Sequence, residues 1–403
     1  MSDHTATHPA ELDWPFFDES HRDFKVQLDA WCNEHLAHAH HDESRDAVDA
    51  ECIRLVRLLG SGGWLKHAVS GTAYGAASDV IDTRQLCLLR ETLAFHNGLS
   101  DFAFAMQGLG TGAISLMGTP DQKQRYLARV ASGQALSAFA LSEPDAGSDM
   151  RGMKCSAVRD GDDWVINGTK HFISHADMAD YVILFAATAE EQTSKGPKKK
   201  ITGFLVDFDT PGCERVAGYD CVSNAGYHNM IINFDNCHVP NSKVLGEVHG
   251  GFDVANTWLG ATRLQVAAVC VGRARRALNL ATEWAATREQ FGQQIGKFQG
   301  VSFKLADMKT QLDAAELLTL RAAWNDANGK FDDSEIAMAK VFATEMCQFV
   351  TDEAIQIFGG MGLMTELPLE RMWRDTRVDR IWDGTSEIQR HIISRGLLRE
   401  FGG

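Results

Sequence analysis

Positive charge is scarce in this chain of 403 residues. Lysine and arginine number 39 against 54 aspartates and glutamates, so the formal net charge is −15. A chain this acidic has no overall field to attract a polyanion, which argues against nucleic acid or an anionic membrane as a partner. Small phosphorylated ligands remain compatible with it, because a few basic groups or helix N-termini suffice to hold them.

Long apolar runs and paired cysteines are also missing. No stretch approaches 18 apolar residues, so we expect no transmembrane helix. The N-terminal segment has neither the basic nor the apolar region of a secretory signal. The nine cysteines form no CxxC pair and are odd in number, which predicts reduced thiols and a cytoplasmic setting rather than a disulfide framework.

The signatures of several enzyme classes are absent as well. GxSxG, GxxxxGK[ST] and HExxH do not occur, so hydrolase, P-loop NTPase and zincin interpretations lack support. The glycines of GGMG at 359–362 neither match GxGxxG nor follow a strand, which argues against a Rossmann site. The histidines of HLAHAHH lack a metal-site partner at set spacing, so we expect a hydrated helix face and no metal there. They are His35, His38, His40 and His41.

Hydrophobic periodicity divides the chain into three zones. Residues 1–136 are mostly helical, and Thr119 with Gln122 predicts a capping box for a helix that begins at Pro120. Residues 137–245 contain short strands and turn dipeptides, which predicts a small antiparallel β domain. From residue 246 the helical period returns and predicts four helices, the third of which stops at Gly359-Gly360.

Turn signals give the β zone its internal order. Asp160-Gly161 and Asn167-Gly168 predict hairpin turns on either side of a strand at 164–166. Further strands are predicted over 181–187, 201–208 and 230–234. The basic run KGPKKK at 195–200 predicts a solvated loop between strands rather than a phosphate site.

Four polar, glycine-interrupted clusters could carry chemistry. ALSEPDAGSD at 140–149 offers hydroxyls and backbone N–H groups to a planar ligand, and NGTKHFIS at 167–174 puts Phe172 and Ser174 on one strand face. REQFG at 288–292, followed by FQ, places Arg288 at a helix end as an anchor for a diphosphate or carboxylate. QIFGGMG at 356–362 and IWDGTSE at 381–387 form the fourth cluster. Each cluster also has an ordinary structural explanation, and the residues alone leave both open.

In this order, the clusters resemble the acyl-CoA dehydrogenase family of flavoproteins. ALSEPDAGSD is similar to A-x-T/S-E-P-x-A-G-S-D, NGTKHFIS to N-G-x-K-x-W/F-I-T/S, and REQFG with FQ to R-x-x-F-G with H/F-Q. QIFGGMG is similar to Q-x-x-G-G-x-G, and WDGTSEIQR to the E-G-T-x-x-I-Q-R segment. The resemblance covers about residues 50–400.

The resemblance implies the family's fold, which is of the α+β class. We therefore expect an N-terminal α-helical domain over 1–136, a central antiparallel β domain over 137–245 and a C-terminal four-helix bundle domain over 246–403. It also implies a homotetramer or dimer.

The resemblance further implies FAD as cofactor, an acyl-CoA as substrate and an electron-transfer flavoprotein as electron acceptor. The positions it assigns to FAD within one chain are Phe139, Leu141, Ser142, Gly147, Ser148, Phe172, Ser174, Thr385 and Glu387. Those that correspond to contacts with the FAD of a neighbouring subunit are Arg288, Phe291, Gln299, Gln356 and Gly360, with Phe298 and Gly359 beside them. Ser148, Arg263 and Gly384 match positions near the acyl-CoA.

The implied reaction is α,β-dehydrogenation of a thioester. A carboxylate takes the α proton while the β-hydrogen leaves as hydride to flavin N5. The family's usual base is a Glu in the E-G-T segment, where this chain has Asp383, shorter by one C–C bond or about 1.5 Å. Some members carry the Glu just before the position of Arg263, where this chain has Thr262.

The aspartate leaves several chemistries open. Asp383 could serve a short, branched or cyclic acyl group, or reach a different hydrogen in 1,4-dehydrogenation of a cyclic enoyl-CoA. Non-redox elimination, an oxidase and a non-catalytic flavin-binding scaffold are also compatible with the sequence. Ala105 and Gln107 lie where relatives set chain-length preference, and Gln107 indicates either a polar or short acyl group or a solvated helix residue.

Overall fold

The structure is a computed structural model that describes residues 12–36, 42–194, 196–223 and 228–402. Its described part runs from helices to strands and back to helices, as the periodicity predicts. Among these residues, none of the helices combines the length and the apolar character that crossing a bilayer requires. All nine cysteines are free, and only Cys213 and Cys221 are not buried.

The N-terminal helices contribute to two apolar cores, because the first four pack around one and the last two pack against the sheet in another. They are α1 Glu19–His35, α2 Arg45–Ser61, α3 Thr83–His96, α4 Gly98–Leu109, α5 Gly112–Met117 and α6 Pro120–Ala131. The predicted capping box of α6 is confirmed, since Thr119 Oγ1 accepts from Gln122 N at 3.3 Å and Gln122 Oε1 accepts from Thr119 N at 3.0 Å. The Gln122 side chain also donates to the carbonyls of Ser242 and Val244, which ties α6 to the strand region.

An eight-stranded sheet follows. Its strands are β1 Ser137–Ala140, β2 Ser156–Asp160, β3 Asp163–Ser174, β4 Tyr181–Thr193, β5 Gly196–Asp207, β6 Cys213–Ala217, β7 Asn229–Pro240 and β8 Val244–Leu245. The order across the sheet is β6-β7-β3-β2-β4-β5-β8, with β1 paired to β4. Most pairings are antiparallel, as predicted, but β1 and β2 both run parallel to β4.

One of the two turn predictions in this zone is wrong. Asp160-Gly161 does begin the predicted β2–β3 hairpin turn, but Asn167-Gly168 lies inside β3, where the register against β7 shifts. Gly168 has φ of 144°, and a Cβ there would lie 2.6 Å from the Cα of Cys155. The dipeptide therefore makes a β-bulge at a close approach of two strands instead of a turn.

The basic run at 195–200 is not a loop. From Gly196 onward it belongs to β5, and its lysines face an acidic stretch of β4, with Lys198 opposite Glu191 and Lys199 opposite Glu190. Lys195 lies outside the described residues. Lys200 Nζ lies 3.4 Å from a carboxylate oxygen of Glu191, and Lys199 donates to the carbonyl of Met153, so the run has protein partners without a phosphate ligand.

The C-terminal helices form a second apolar core. They are α7 Gly251–Thr287, α8 Gln299–Ala327, α9 Asp333–Phe358, α10 Leu369–Asp379 and α11 Ser386–Glu400, and a small hairpin of β9 Glu289–Gln290 and β10 Gln293–Gln294 follows α7. The four predicted helices are confirmed, and α9 ends at Gly359 with φ of 63°. The sequence analysis missed α10, an eleven-residue helix whose buried face includes the polar residues Asp375, Thr376 and Asp379.

Helices α3 and α7 join the two helical cores at a glycine. A Cβ on Gly272 would lie 2.1 Å from the carbonyl oxygen of Glu91, so only glycine permits this contact. The close approach places Arg90 of α3 opposite Gln265 of α7. It thereby sets one wall of the cleft described next.

Candidate active site

A cleft of about 1000 Å³ opens between the sheet, the N-terminal helices and the C-terminal helices. Its walls include the loop after β1, the end of β3, the middle of α7 and the segment between α10 and α11. The predicted site residues that line it are Phe139, Leu141, Ser142, Gly147, Ser148, Phe172, Ser174, Arg263, Asp383, Gly384 and Thr385. Segments far apart in sequence thus meet at one site.

A buried ion pair fixes the loop after β1. Glu143 accepts from Lys170 Nζ at 2.7 Å and from the backbone N–H of Cys155 at 3.1 Å. Lys170, which is fully buried, also donates to the carbonyl of Leu141 at 3.0 Å. The two charged residues of the ALSEP and NGTKH motifs therefore hold the loop in place against β3, while the serines stay available.

Three serine hydroxyls lie along this wall. Ser142, Ser148 and Ser174 line the cleft, and no residue of the described chain bonds to their side-chain oxygens. Beside them Phe172 keeps 53% of its surface exposed, at a second register shift of β3 and with φ of 57°. The simple alternation used for the prediction does not hold at this bulge, yet Phe172 and Ser174 both reach the cleft.

Asp383 lies on a short loop whose backbone is clamped. Asp383 and Gly384 have φ of 51° and 91°, and a Cβ on Gly384 would lie 2.7 Å from Gln389 Nε2. The Asp383 carbonyl accepts from Arg263 Nε at 3.2 Å, and the Gly384 carbonyl accepts from Lys340 Nζ at 2.9 Å. Gln389 Nε2 donates to both carbonyls, so three side chains set the backbone of this loop.

The carboxyl group of Asp383 itself has no hydrogen-bond or ion-pair partner in the described part of the chain. Burial raises the pKa of Asp383, while the positive charges of Lys340, Arg90 and Arg263 lower it in part, and Asp379 adds to the rise. A carboxylate that is desolvated and left without a donor is a stronger base than one in water.

Thr385 and Glu387 begin helix α11. Thr385 Oγ1 accepts from the N–H of Ile388 at 3.3 Å, so it is the N-cap, and Thr385 also lines the cleft. Glu387 is exposed in the first turn and does not line the cleft, and hydrogen bonds of its carboxylate lower its pKa. Both residues are predicted to contact FAD, and only Thr385 of the two lies at the cleft.

A second group of predicted residues lies elsewhere. Arg288 is the C-cap of α7, and the β9–β10 hairpin that follows carries Phe291 and Gly292 at its tip, with φ of 51° and 79°. Phe291 is 95% exposed and lies edge-on to Phe298, with ring centroids 6.1 Å apart. Two positive φ values identify a type I′ turn, which is unusual for phenylalanine.

The GGMG turn lies next to this hairpin. Trp284 near the end of α7 stacks on Phe358 at the end of α9, with ring centroids 4.7 Å apart. The neighbouring predicted residues Gln299, Gln356, Gly359 and Gly360 are all exposed. Arg263 and Arg288 lie roughly 38 Å apart at 1.5 Å of helix rise per residue. The second group therefore cannot line the same cleft of the same chain.

The sequence analysis missed several polar residues of the cleft region. Arg90, Asp101 and Gln265 line the cleft, and Lys340 supports its Asp383 loop. For Arg90 and Lys340 the sequence does offer a signal, which is a charged residue inside an apolar helix stretch. The two stretches are LCLLRETLAF and EIAMAKVFA.

Gln107 is neither a cleft residue nor a solvated one. Its amide donates to the carbonyl of Ala135 at 2.8 Å and accepts from the N–H of Ser137 at 3.0 Å, so it joins α4 to β1. Both interpretations of Gln107 from the sequence are therefore wrong. Ala105 does line the cleft.

The histidine-rich segment offers one described residue. His35 stacks on Trp31 with ring centroids 4.9 Å apart and contacts the carbonyl of Trp31, whereas His38, His40 and His41 lie outside the described residues. A different trio, Asp49, Asp177 and His228, brings its ligand-type atoms within 4.8 Å of one another. His228 Nδ1 lies 2.7 Å from Asp49 and 3.3 Å from Asp177, a pairing that ties α2 to the sheet.

Comparison with known families identifies the three parts of the chain. Residues 18–134 match the acyl-CoA dehydrogenase N-terminal domain, residues 138–237 the middle domain and residues 249–398 the C-terminal domain.

Individual relatives agree. The human mitochondrial short-chain specific acyl-CoA dehydrogenase is 40% identical over 72% of this chain and 69% of its own. The CarC subunit of the caffeyl-CoA reductase-Etf complex of Acetobacterium woodii is 39% identical over 72% of this chain and 76% of its own. The structure of butyryl-CoA dehydrogenase from Megasphaera elsdenii superposes with a TM-score of 0.85 at 32% identity, over 95% of this chain and 99% of that one.

These matches, together with the α–β–α fold and its cleft, define an oxidoreductase that acts on CH–CH groups. The chain belongs to the acyl-CoA dehydrogenase family. The predicted fold and the predicted class of reaction are thereby confirmed.

Proposed function

We propose that this chain is an FAD-dependent acyl-CoA dehydrogenase in which Asp383 is the catalytic base. The observation that carries the proposal is the Asp383 carboxyl group. It belongs to a cleft residue, lacks any protein partner in the described chain and has a pKa raised by burial. The buried carboxylate of Glu143 instead accepts from Lys170 Nζ and from the backbone N–H of Cys155.

The residues present fit FAD. The cleft has the volume for a large ligand, Phe172 offers an exposed ring for stacking, and three serine hydroxyls need partners. Gly147 leaves open space around its Cα, where a Cβ would meet no atom within 4 Å. FAD, when bound, supplies an acceptor for the hydrogen that leaves the β carbon with its electron pair.

Asp383 would remove the α proton of the acyl thioester. Its backbone is fixed by Arg263, Lys340 and Gln389, so the carboxylate is held before substrate arrives and little reorganisation is needed. Because Asp is about 1.5 Å shorter than Glu, the α carbon must lie closer to this loop than in a Glu enzyme. A short, branched or cyclic acyl group that can approach the loop is therefore the expected substrate.

A neighbouring copy of the chain would complete the FAD site. The hairpin with Arg288 and Phe291 is too far along α7 to reach the cleft of its own chain. An exposed phenylalanine held at positive φ is costly unless it makes a contact, which supports a contact with another subunit. A homotetramer or dimer satisfies this requirement.

An electron-transfer flavoprotein is the proposed redox partner. The relative from Acetobacterium woodii is a subunit of a reductase-Etf complex. That relative's name also supports a second candidate function, reduction of an enoyl-CoA, which would use the same residues in reverse with Asp383 as the proton donor.

Replacement of Asp383 by Asn tests the proposal. The variant keeps the side-chain volume but has no basic oxygen, so acyl-CoA-dependent bleaching of the flavin should slow by about 100- to 10,000-fold. The measurement is anaerobic stopped-flow absorbance with straight, branched and cyclic acyl-CoAs. The flavin spectrum should be unchanged.

The matched control is Glu366→Gln, which neutralises an exposed carboxylate outside the cleft. It should bleach at the wild-type rate. Wild-type bleaching in Asp383→Asn would reject Asp383 as the base. If the wild-type protein binds FAD but no acyl-CoA bleaches the flavin, the dehydrogenase is rejected. The non-catalytic flavin-binding scaffold is then the remaining interpretation.

A further inference from the structure

A polar cluster in the cleft takes no direct part in the proton and hydride transfers proposed above. Arg90 of α3, Asp101 of α4 and Gln265 of α7 all line the cleft and are at most 6% exposed. Arg90 Nη2 donates to Asp101 Oδ2 at 3.1 Å, and Arg90 Nη1 donates to Gln265 Oε1 at 3.1 Å. Arg90 Nε completes a two-pronged pair with the other oxygen of Asp101.

Some N–H donors of this cluster are not used within the described chain. A guanidinium carries five N–H groups, and three of those of Arg90 are used within the described chain. The Gln265 amide nitrogen has no acceptor among the described residues. The unused donors belong to residues whose exposed surface lies along the cleft, so a ligand there can reach them.

The cluster and Asp383 line the same cleft, close enough for the charge of Arg90 to act on the Asp383 carboxyl. Arg263, two residues before Gln265 on α7, bonds to the Asp383 carbonyl, and the charge of Arg90 lowers the pKa of the Asp383 carboxyl. Groups bound at the cluster are therefore close to the reacting end of a substrate. Phe102, Ala105 and Met106 of α4 add apolar surface next to it.

The spare donors define which acyl groups fit. A plain alkyl chain would cover the donors of Arg90 and Gln265 and leave them unsatisfied, which costs free energy. A carboxylate would satisfy them but would approach Asp101 and Asp383, two carboxylates, while Arg90 is already paired. An uncharged oxygen accepts the hydrogen bonds without that repulsion.

We propose that Arg90, Asp101 and Gln265 select an acyl-CoA whose acyl group carries an uncharged oxygen, a hydroxyl or a ketone, a few carbons from the thioester. The inference rests on the proposed function and names its substrate class. The cluster positions the acyl group and takes no part in proton or hydride transfer.

The test compares acyl-CoAs of one length. Valeryl-CoA, 4-hydroxyvaleryl-CoA, 5-hydroxyvaleryl-CoA and glutaryl-CoA differ only in the polar group of a five-carbon acyl chain. Anaerobic flavin bleaching should give at least one hydroxyacyl-CoA a kcat/KM at least about tenfold above those of valeryl-CoA and glutaryl-CoA.

Two variants connect that preference to the cluster. In Arg90→Met with Asp101→Leu, the ion pair is replaced by apolar side chains of similar volume, a change that buried pairs often tolerate. The ratio of kcat/KM for the hydroxyacyl-CoA to kcat/KM for valeryl-CoA, both measured on the same variant at one pH, should fall to near unity. Gln265→Met alone should lower the preference without touching the ion pair, and it serves if the double variant does not fold.

The outcomes separate the two proposals. Equal or better use of valeryl-CoA or glutaryl-CoA by the wild type, or an unchanged preference in Gln265→Met, overturns the selection by this cluster and leaves the dehydrogenase intact. If neither these nor other acyl-CoAs bleach the flavin, the proposed function is overturned. The proposed substrate class is then overturned as well.

Discussion

At the residue scale, the backbone of Asp383 holds the loop in place, while its carboxyl group is left free to react. Its backbone carbonyl and that of Gly384 take the donors of Arg263, Lys340 and Gln389. Its carboxyl group is left without a partner in the described chain. The loop is thus rigid, while the reacting oxygens keep their basicity.

This environment predicts a pH dependence. Only the ionised Asp383 can take a proton, so kcat/KM should fall as the pH drops through its pKa. Because burial raises that pKa, the fall should occur at a higher pH than for an ordinary aspartate. Lys340→Met removes a positive charge that lowers the pKa of Asp383, so the acid limb should move to still higher pH.

The measurement is kcat/KM against pH with one acyl-CoA, at saturating electron acceptor. Lys309→Met, which removes a lysine paired with Asp313 on the surface, is the control and should leave the acid limb in place. Superimposable profiles for wild type and Lys340→Met would contradict this account of the Asp383 pKa.

At the element scale, short side-chain contacts fix how the elements meet. Gln122 serves the capping box of α6 and also binds the carbonyls of Ser242 and Val244 beyond β7. The Gln107 amide donates to the carbonyl of Ala135 and accepts from the N–H of Ser137, and so ties α4 to β1. Such contacts orient the helices against the sheet, which forms the back of the cleft.

Helix α6 offers a stability test. Thr119→Ala removes the N-cap hydrogen bond and should lower the free energy of unfolding by about 1 kcal/mol. Gln122→Ala should cost more, about 1–3 kcal/mol, because two carbonyls of the strand region lose their donor. Urea unfolding followed by circular dichroism measures both.

Gln124→Ala is the matched control, since Gln124 is exposed on the same helix. It should change stability little. An effect of Gln122→Ala no larger than that of Gln124→Ala would mean that the contact to the strand region contributes nothing.

At the scale of the whole molecule, the predicted FAD residues fall into two groups that one chain cannot bring together. The hairpin with Arg288 and Phe291 presents its ring to the outside, at 95% exposure. A second copy of the chain is the simplest way to place it against an FAD.

Phe291→Ala tests this arrangement. Loss of a central aromatic contact is worth on the order of 2 kcal/mol, so FAD should dissociate roughly 30-fold more readily. Gel filtration with light scattering and the flavin-to-protein absorbance ratio report assembly and FAD content together. Val80→Ala, which truncates another exposed apolar side chain, is the control. Full FAD content in Phe291→Ala would argue against a role across subunits.

Much of this protein follows from its sequence alone. Local periodicity and cap residues predict the α–β–α order, the start of α6 and four of the C-terminal helices, because these depend on neighbours a few residues away. The ordered motifs identify the family and point to Phe172, Ser174, Arg263 and Asp383, all of which line one cleft. They do so because each motif is a short local pattern.

Only the tertiary structure decides the rest. The bulges at Gly168 and Phe172 depend on the strand that each faces, and the pairing of Arg90 with Gln265 depends on the contact of α3 with α7 at Gly272. Whether a charged residue in a helix is solvated or buried against a cleft is set by partners more than 100 residues away, as for Arg90 and Gln265. Those long-range contacts, which no local pattern encodes, leave the Asp383 carboxyl unpaired in the described chain and give the cleft its polar wall.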